Sequence, residues 1–326
     1  MIPSAFDYVA ASTVEQAVQV LSQAGEDAKV LAGGQSLVPV LRLRLATPTT
    51  LVDLNKISSL RGVRDDGDAI VVGAMTTHHD VINDPLIREH AALLALVTQT
   101  VGDPQIRHRG TFGGALVHAD PAGDLLAPAV ALDCEMVIVG PGGRRTVPVG
   151  EFFVDLFTTA VGPDEVLVEV RIPKKKGWGA HYEKFNRVAQ AWSIVAVAAT
   201  VRTEGGSIVE ARVALTNMGA TPVRAVGVER ALVARAVGAS AGALRAAVGA
   251  CVGGGCLLAG VRGVGHARLA GMRTDAGDIE LTMDELRAVA GYAVACAEPA
   301  LVIFDKERPD DPRPAAALHA GRLFAE

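Results

Sequence analysis

Two short glycine pairs, Ala32-Gly33-Gly34-Gln35-Ser36 and Thr111-Phe112-Gly113-Gly114-Ala115, constrain this chain more than any other feature. Each follows a segment that reads as extended and precedes a turn or short helix. Paired glycines let a backbone turn sharply with φ > 0 and bring several N–H groups close to a ligand. Such a nest suits a pyrophosphate. A plain tight turn is the competing reading for either pair alone, because glycine supplies 35 of the 326 residues. Neither pair has the GxGxxG or GxxxxGKS spacing, so neither a Rossmann nor a P-loop site is indicated.

A chain of 326 residues has room for two or three domains, and half of its residues are hydrophobic. The net charge of −5 leaves no polybasic footprint for nucleic acid or anionic lipid. Lys174-Lys175-Lys176 is the only basic run and reads as a solvated loop between Pro173 and Gly177. The N-terminus lacks the basic and apolar regions of a signal peptide. No stretch reaches the ~18 apolar residues of a membrane span; the nearest, Ala246 to Val261, is too short. A cytoplasmic protein is expected. Cys134, Cys251, Cys256 and Cys296 read as free thiols, with no zinc spacing among them. His78-His79 reads as a helix start and Arg107-His108-Arg109 as loop, so no metal site is expected.

Local patterns divide the chain into four segments, 1–56, 57–176, 177–233 and 234–326. In the first, Ser12-Thr13-Val14-Glu15 reads as a capping box opening a helix that Gly25 ends. Strands at Lys29–Leu31 and Leu51–Leu54 make this a βαβ-like unit. The second has strands at Ala69–Gly73, Met136–Val139 and Val166–Ile172, and a hairpin turn at Pro141-Gly142-Gly143. Thr76 or Thr77 caps a helix, Leu86–Val101 reads as one helix, and Gly123–Leu132 as another. In the third, Ser193–Val201 and Ser207–Thr216 flank Glu204-Gly205-Gly206 as an antiparallel hairpin, and Pro222 starts a helix. The fourth is Gly/Ala-rich to Ala270, then shows a capping box at Thr282-Met283-Asp284-Glu285 and helical patterns toward Glu326.

Three stretches stand in order: LAGGQSLVPVLRLRLATPTTLVDLN, GDPQIRHRGTFGGALVHADPAGDLLAPAVALD and DEVLVEVRIP. From about Met1 to about Val233 the chain resembles the FAD-binding medium subunits of aerobic carbon monoxide dehydrogenase and its relatives in the molybdenum hydroxylase (xanthine dehydrogenase) family. The resemblance implies an α+β fold of the vanillyl-alcohol-oxidase (PCMH) type. Two N-terminal subdomains enclose the FAD, and a small C-terminal α+β domain follows. Beyond Val233 the resemblance is lost and the tail is atypical. The last residues faintly resemble a helical immunity-protein-like family, or form an unusual but ordinary C-terminus.

The resemblance also implies the site. Leu31, Ala32, Gly33, Gly34, Gln35, Ser36, Leu37 and Val38 wrap the pyrophosphate. Thr111, Phe112, Gly113, Gly114 and Ala115 lie along the diphosphate and ribityl region; Ala115 departs from the polar residue frequent there, which removes one hydrogen bond worth roughly 0.5–1.5 kcal/mol. Asp124 matches a hydrogen-bonding partner of the flavin's ribose side. Val101 and Leu167 match apolar contacts, Lys184 a cation near the ring or phosphates, and Trp192 an aromatic near the ring. Read alone, these would be core or surface residues. The flavin carries the redox chemistry, so no catalytic side chain is expected, and with no histidine in either loop the FAD is expected to be noncovalent. Partners are expected to supply the rest: a molybdopterin-binding large subunit and a small subunit with 2Fe–2S clusters, with quinone, NAD or O₂ as acceptor. A non-assembling remnant and a stand-alone flavin oxidoreductase are the alternatives.

Overall fold

The structure, a computed structural model, describes residues 2–233. The expectations for 234–326, including the Cys251, Cys256 and Cys296 thiols and the helices after Thr282, lie outside the described residues. The first unit is a three-stranded parallel sheet in the order β1-β3-β2, from β1 (Asp7–Ala10), β2 (Ala28–Leu31) and β3 (Thr50–Asp53). Helix α1 (Val14–Ala24) joins β1 to β2 and buries Ala17, Val18 and Leu21; α2 (Leu37–Arg42) joins β2 to β3. The cap of α1 is one residue later than its sequence suggests. Thr13 Oγ1 accepts from Gln16 N at 3.1 Å, and Gln16 Oε1 accepts from Ser12 N at 2.7 Å. The glutamine amide reaches back as a capping-box glutamate would.

The second unit centres on a five-stranded antiparallel sheet, β4-β5-β10-β6-β7. In chain order it comprises β4 (Val63–Asp66), β5 (Ala69–Gly73), α3 (His78–Asn83), α4 (Pro85–His90), α5 (Ala92–Thr98), α6 (Pro104–Arg109), α7 (Phe112–His118) and α8 (Leu126–Ala131). There follow the hairpin β6 (Glu135–Gly140) and β7 (Gly143–Pro148), α9 (Val149–Phe152), a two-stranded ribbon of β8 (Phe153–Asp155) and β9 (Thr158–Thr159), and β10 (Val166–Pro173). The single helix expected over Leu86–Val101 is two. Ala91, at φ −141° and ψ 48°, breaks the run, and the Asp84 carboxylate caps α4 through Leu86 N at 2.9 Å and Ile87 N at 3.2 Å. The helix expected from Gly123 begins only at Leu126.

The third unit is the antiparallel sheet β11 (Gly179–Phe185), β12 (Val195–Glu204), β13 (Ser207–Thr216) and β14 (Val223–Arg224), followed by α10 (Val226–Leu232). Two apolar cores join the units. One packs α1 and β3 against Met75, Val137, Val166 and Val168. The other packs α5, α7 and α8 between Leu167, Val170 and Ile172 on one side and Tyr182, Ala196, Ala198 and Ala214 on the other. Strand β10 serves both. A bulge between Leu167 and Glu169 shifts its register, so odd-numbered Leu167 and even-numbered Val170 face the same core.

Lys174-Lys175-Lys176 forms the loop expected, with Lys176 exposed, but the Lys175 side chain is only 8% exposed and each lysine is ion-paired. Lys174 pairs with Asp65 at 2.7 Å, Lys176 with Glu89 at 2.7 Å and Lys175 with Asp133 at 3.3 Å. The Lys175 ammonium also lies 4.5 Å from the centre of the Trp178 ring. Arg107, His108 and Arg109 are in the last turn of α6 rather than in a loop.

Candidate flavin site

The chain leaves β2 at Leu31 and turns through Ala32–Ser36 into α2. Gly34 has φ +74°, the left-handed conformation that glycine adopts without strain. The turn is anchored from below. Asn55 Nδ2 donates to Ala32 O at 3.1 Å and to Asp53 Oδ1 at 2.6 Å, while Tyr8 OH donates to the other Asp53 oxygen. That bond to the carboxylate holds the Tyr8 hydroxyl above its usual range. The amides of Gly33, Gly34, Gln35 and Ser36 donate to no group among the described residues. Four successive free N–H groups on an anchored turn form a cradle for an anionic group.

The second glycine pair is built differently. Thr111–Ala115 is not a loop but the start of α7, with Thr111 as its cap; Gly114 N donates to Thr111 Oγ1 at 3.2 Å. Phe112 N donates to Thr76 O and Gly113 N to Ala74 O, both at 2.9 Å, and Ala115 N donates to Thr111 O. These amides are already used. The glycines serve close packing instead. A Cβ on Gly113 would stand 2.5 Å from Ala74 Cβ, and one on Gly114 3.3 Å from Ala32 Cβ. Neither has φ > 0. Gly33 meets the end of α6, where an added Cβ would stand 2.3 Å from Arg109 O. The structure thus brings the two glycine pairs against each other, with Gly114 facing Ala32.

Val101 is half-buried and Leu167 is 4% exposed; both belong to the larger core with Leu116 and Phe112. Asp124 lies just before α8 and is 8% exposed. Its Oδ1 accepts from Tyr182 OH and Ser193 Oγ, each at 2.7 Å, and its Oδ2 accepts from Lys184 Nζ at 2.8 Å. Tyr182 and Lys184 alternate on β11 and so share one face. Burial and the neighbouring carboxylate push the Tyr182 hydroxyl well above its ordinary value, keeping it a donor. Lys184 Nζ also approaches Thr100 O at 3.4 Å. Trp192 is 57% exposed. Lys184, Tyr182 and Arg107 line a cleft of about 540 Å³ between the α5–α6 connection and the segment after β11. Tyr182, Ser193 and Arg107 were not singled out from sequence as site residues; the i, i+2 spacing of Tyr182 and Lys184 on a strand was the available signal for the first.

Residues 4–175 match the FAD binding domain in molybdopterin dehydrogenase, and residues 180–253 match the CO dehydrogenase flavoprotein C-terminal domain. The chain belongs to this family. The second match runs past Val233, so the family likeness extends further than the sequence resemblance reaches. The carbon monoxide dehydrogenase medium chain of Hydrogenophaga pseudoflava is 42% identical over 228 residues, 70% of this chain and 79% of that one. The medium chain of Afipia carboxidovorans is 38% identical over 234 residues, 72% and 81% of the two chains. Among solved structures, a carbon monoxide dehydrogenase from H. pseudoflava aligns with a TM-score of 0.75 at 38% identity, covering 90% of this chain and 97% of that one. Quinoline 2-oxidoreductase from Pseudomonas putida 86 aligns with a TM-score of 0.74 at 28% identity, covering 91% and 98%.

The fold is the two-subdomain FAD-binding type with a C-terminal α+β domain, as expected from sequence. The protein is a flavin-dependent oxidoreductase subunit that binds FAD and transfers electrons within a multi-subunit molybdenum hydroxylase complex. The residues present fit the cofactor. The four free amides at Gly33–Ser36 match the acceptor-rich diphosphate, and the anchored turn holds them in place before the ligand arrives. Among the described residues no helix is long and apolar enough to cross a membrane, and no cluster of three or more His, Cys, Asp or Glu could hold a metal.

Proposed function

We propose that this subunit holds one noncovalent FAD between its first two units and passes electrons from a partner's iron–sulfur clusters to an external acceptor. The observation that carries the reading is the free-amide turn at Gly33–Ser36 packed against the capped start of α7. Leu31, Ala32, Leu37 and Val38 flank that turn and exclude water from the diphosphate. Thr111, Phe112, Gly113, Gly114 and Ala115 form the opposing wall, with only Gly114 and Ala115 of this stretch not buried. Val101 and Leu167 supply apolar surface toward the ring. Lys184 brings a positive charge to the ring end, and Asp124 fixes where that charge stands.

When bound, FAD supplies two-electron and one-electron redox chemistry at a single site. The protein contributes position and electrostatics, and no side chain acts as acid, base or nucleophile. The partners are a molybdopterin-binding large subunit and a small subunit with 2Fe–2S clusters, and the complex works in the cytoplasm. The family membership and the relatives' names support this assignment of partners.

Acid release of flavin from the purified full chain tests the reading. One FAD per chain, freed without proteolysis, is the expected result. A colourless protein that takes up no FAD on titration would overturn it. Co-expression with candidate large and small subunits should yield one co-purifying complex.

A further inference from the structure

We infer that Tyr182 and Ser193 are positioning residues for the flavin: by donating to Asp124 they leave the charge of Lys184 free to act on the ring, and so raise the potential at which the flavin is reduced. The inference rests on the proposed FAD site, in which Lys184 stands at the ring end.

The hydrogen bonds of the hub can be accounted for one by one. An ionised carboxylate offers about four lone-pair positions. Asp124 fills three of them within the chain. Its Oδ1 accepts from the Tyr182 and Ser193 hydroxyls, and its Oδ2 accepts from the Lys184 ammonium. One position remains, on the oxygen that already holds the lysine. Lys184 spends one N–H on Asp124 and a second on Thr100 O, which leaves the third unspent. The donor that the hub can still offer a ligand is therefore the ammonium, and the carboxylate acts chiefly through it.

The hydroxyls are held where they stand. Tyr182, Ser193 and Asp124 are buried, and the Lys184 side chain is 8% exposed. Tyr182 is fixed by β11. Ser193 lies two residues before β12 and is placed by Asn217, just after β13. Asn217 Nδ2 donates to Ser193 O at 3.0 Å, and Asn217 N donates to Pro121 O at 2.9 Å. One residue thus grips the backbone on both sides of the hub, three residues before Asp124 and at Ser193 itself. Asn217 has φ +61°, a left-handed conformation that asparagine tolerates better than most residues.

The sign follows from the charges. Reduction brings electrons onto the flavin ring. A cation at the ring end favours that change, and a carboxylate behind the cation opposes it. Two hydroxyl dipoles aimed at Oδ1 offset part of the carboxylate charge and carry no net charge of their own. In a buried site such dipoles act at low dielectric and are felt strongly. Removing one exposes more of the Asp124 charge, which cancels more of Lys184 and disfavours the reduced flavin.

Midpoint potentials of the FAD-loaded full chain, read by absorbance against a reference dye, test this, with flavin content measured for each variant. Tyr182→Phe and Ser193→Ala should each weaken the preference for reduced flavin about tenfold, a fall of about 30 mV for a two-electron couple. Thr200→Val is the control. It also removes a buried hydroxyl from the third unit, one that donates to Gly179 O at 2.8 Å rather than to Asp124. It should lose stability and keep the wild-type potential. In an Asp124→Asn background neither Tyr182→Phe nor Ser193→Ala should move the potential, because no charge is left to offset. The comparison with Thr200→Val decides even where Asp124→Asn is too unstable to load. Equal potentials for the wild type, Tyr182→Phe and Ser193→Ala overturn the inference and leave the flavin reading intact. A fall that Thr200→Val matches, or one that persists beside Asp124→Asn, overturns it too. A chain that takes up no FAD overturns the flavin reading, and the inference with it.

Discussion

At Gly33 the chain has room for a hydrogen atom and nothing larger. An added Cβ would meet Arg109 O at 2.3 Å and Gly110 Cα at 2.7 Å, both backbone atoms that no rotamer change can move. Gly33→Ala should therefore part the free-amide turn from α6, costing about 1–3 kcal/mol in overpacking and most of the bound flavin. Gly142→Ala, where nothing lies within 4 Å of the new atom, is the matched control and should keep its flavin. Flavin-to-protein absorbance ratios of the two variants check this, and equal ratios would refute it. A second residue sets an acid limit. His78 is 4% exposed with Nδ1 unpartnered, and burial, with Arg107 nearby, lowers its pKa from 6.5 to about 4. The folded state holds it neutral while the unfolded chain protonates it below pH 6.5. Its contribution is thus complete above pH 6.5 and is lost as the pH falls toward about 4. At roughly 1.36 kcal/mol per unit, this amounts to about 3 kcal/mol. His78→Gln should flatten urea-unfolding stability across that window, and an unchanged slope would count against the assignment.

Strand β11 shows how an element converts sequence into a site. Alternation places Tyr182 and Lys184 on one face, where both reach Asp124 from a different unit. Side chains of Lys184 and Asp124 are 8% and 7% exposed, so removing one charge leaves the other buried. Asp124→Asn should cost about 3–5 kcal/mol. Adding Lys184→Met should recover part of that loss, because the stranded ammonium is then gone. Denaturant midpoints of the two variants decide, and a double variant less stable than the single one would show that the pair acts through something else. The β6–β7 and β12–β13 hairpins were legible in advance, since Gly142-Gly143 and Gly205-Gly206 mark turns between alternating runs. Strand β1 was not legible. It pairs with β3 from Asp7↔Thr50 onward, a contact more than forty residues away that no local pattern reveals. The same holds for the start of α7. The pattern Thr-Phe-Gly-Gly reads as a loop until Ala74 and Thr76 are seen to take its amides. The resemblance names a set of residues, but no local pattern reveals how the two glycine pairs differ: free amides at one, close packing at the other.

Across the whole molecule, the third unit is held to the second by charge as well as by apolar packing. Asp133, at φ +56°, follows α8 and faces three cations from three places: Lys175 at 3.3 Å, Arg212 on β13 at 3.0 Å and Arg224 on β14 at 2.8 Å. Arg224 is shared with Glu229 of α10 at 2.9 Å, and Glu229 also accepts from Val213 N. The network therefore runs from the core of the second unit to the last described helix. This matters for Lys184 and Asp124, because the cation proposed for the flavin end sits on the third unit and its counter-ion on the second. Loosening the clamp moves one against the other. Asp133→Asn keeps a residue that tolerates the left-handed conformation and removes only the charge. With Asp133 one-third exposed, the loss should be about 1–3 kcal/mol, less in high salt. Hydrogen exchange should speed up at the β13 and β14 amides while the β5–β10 ladder stays protected. Uniform acceleration across both sheets would mean that the units unfold as one and that the clamp does not set their relative position.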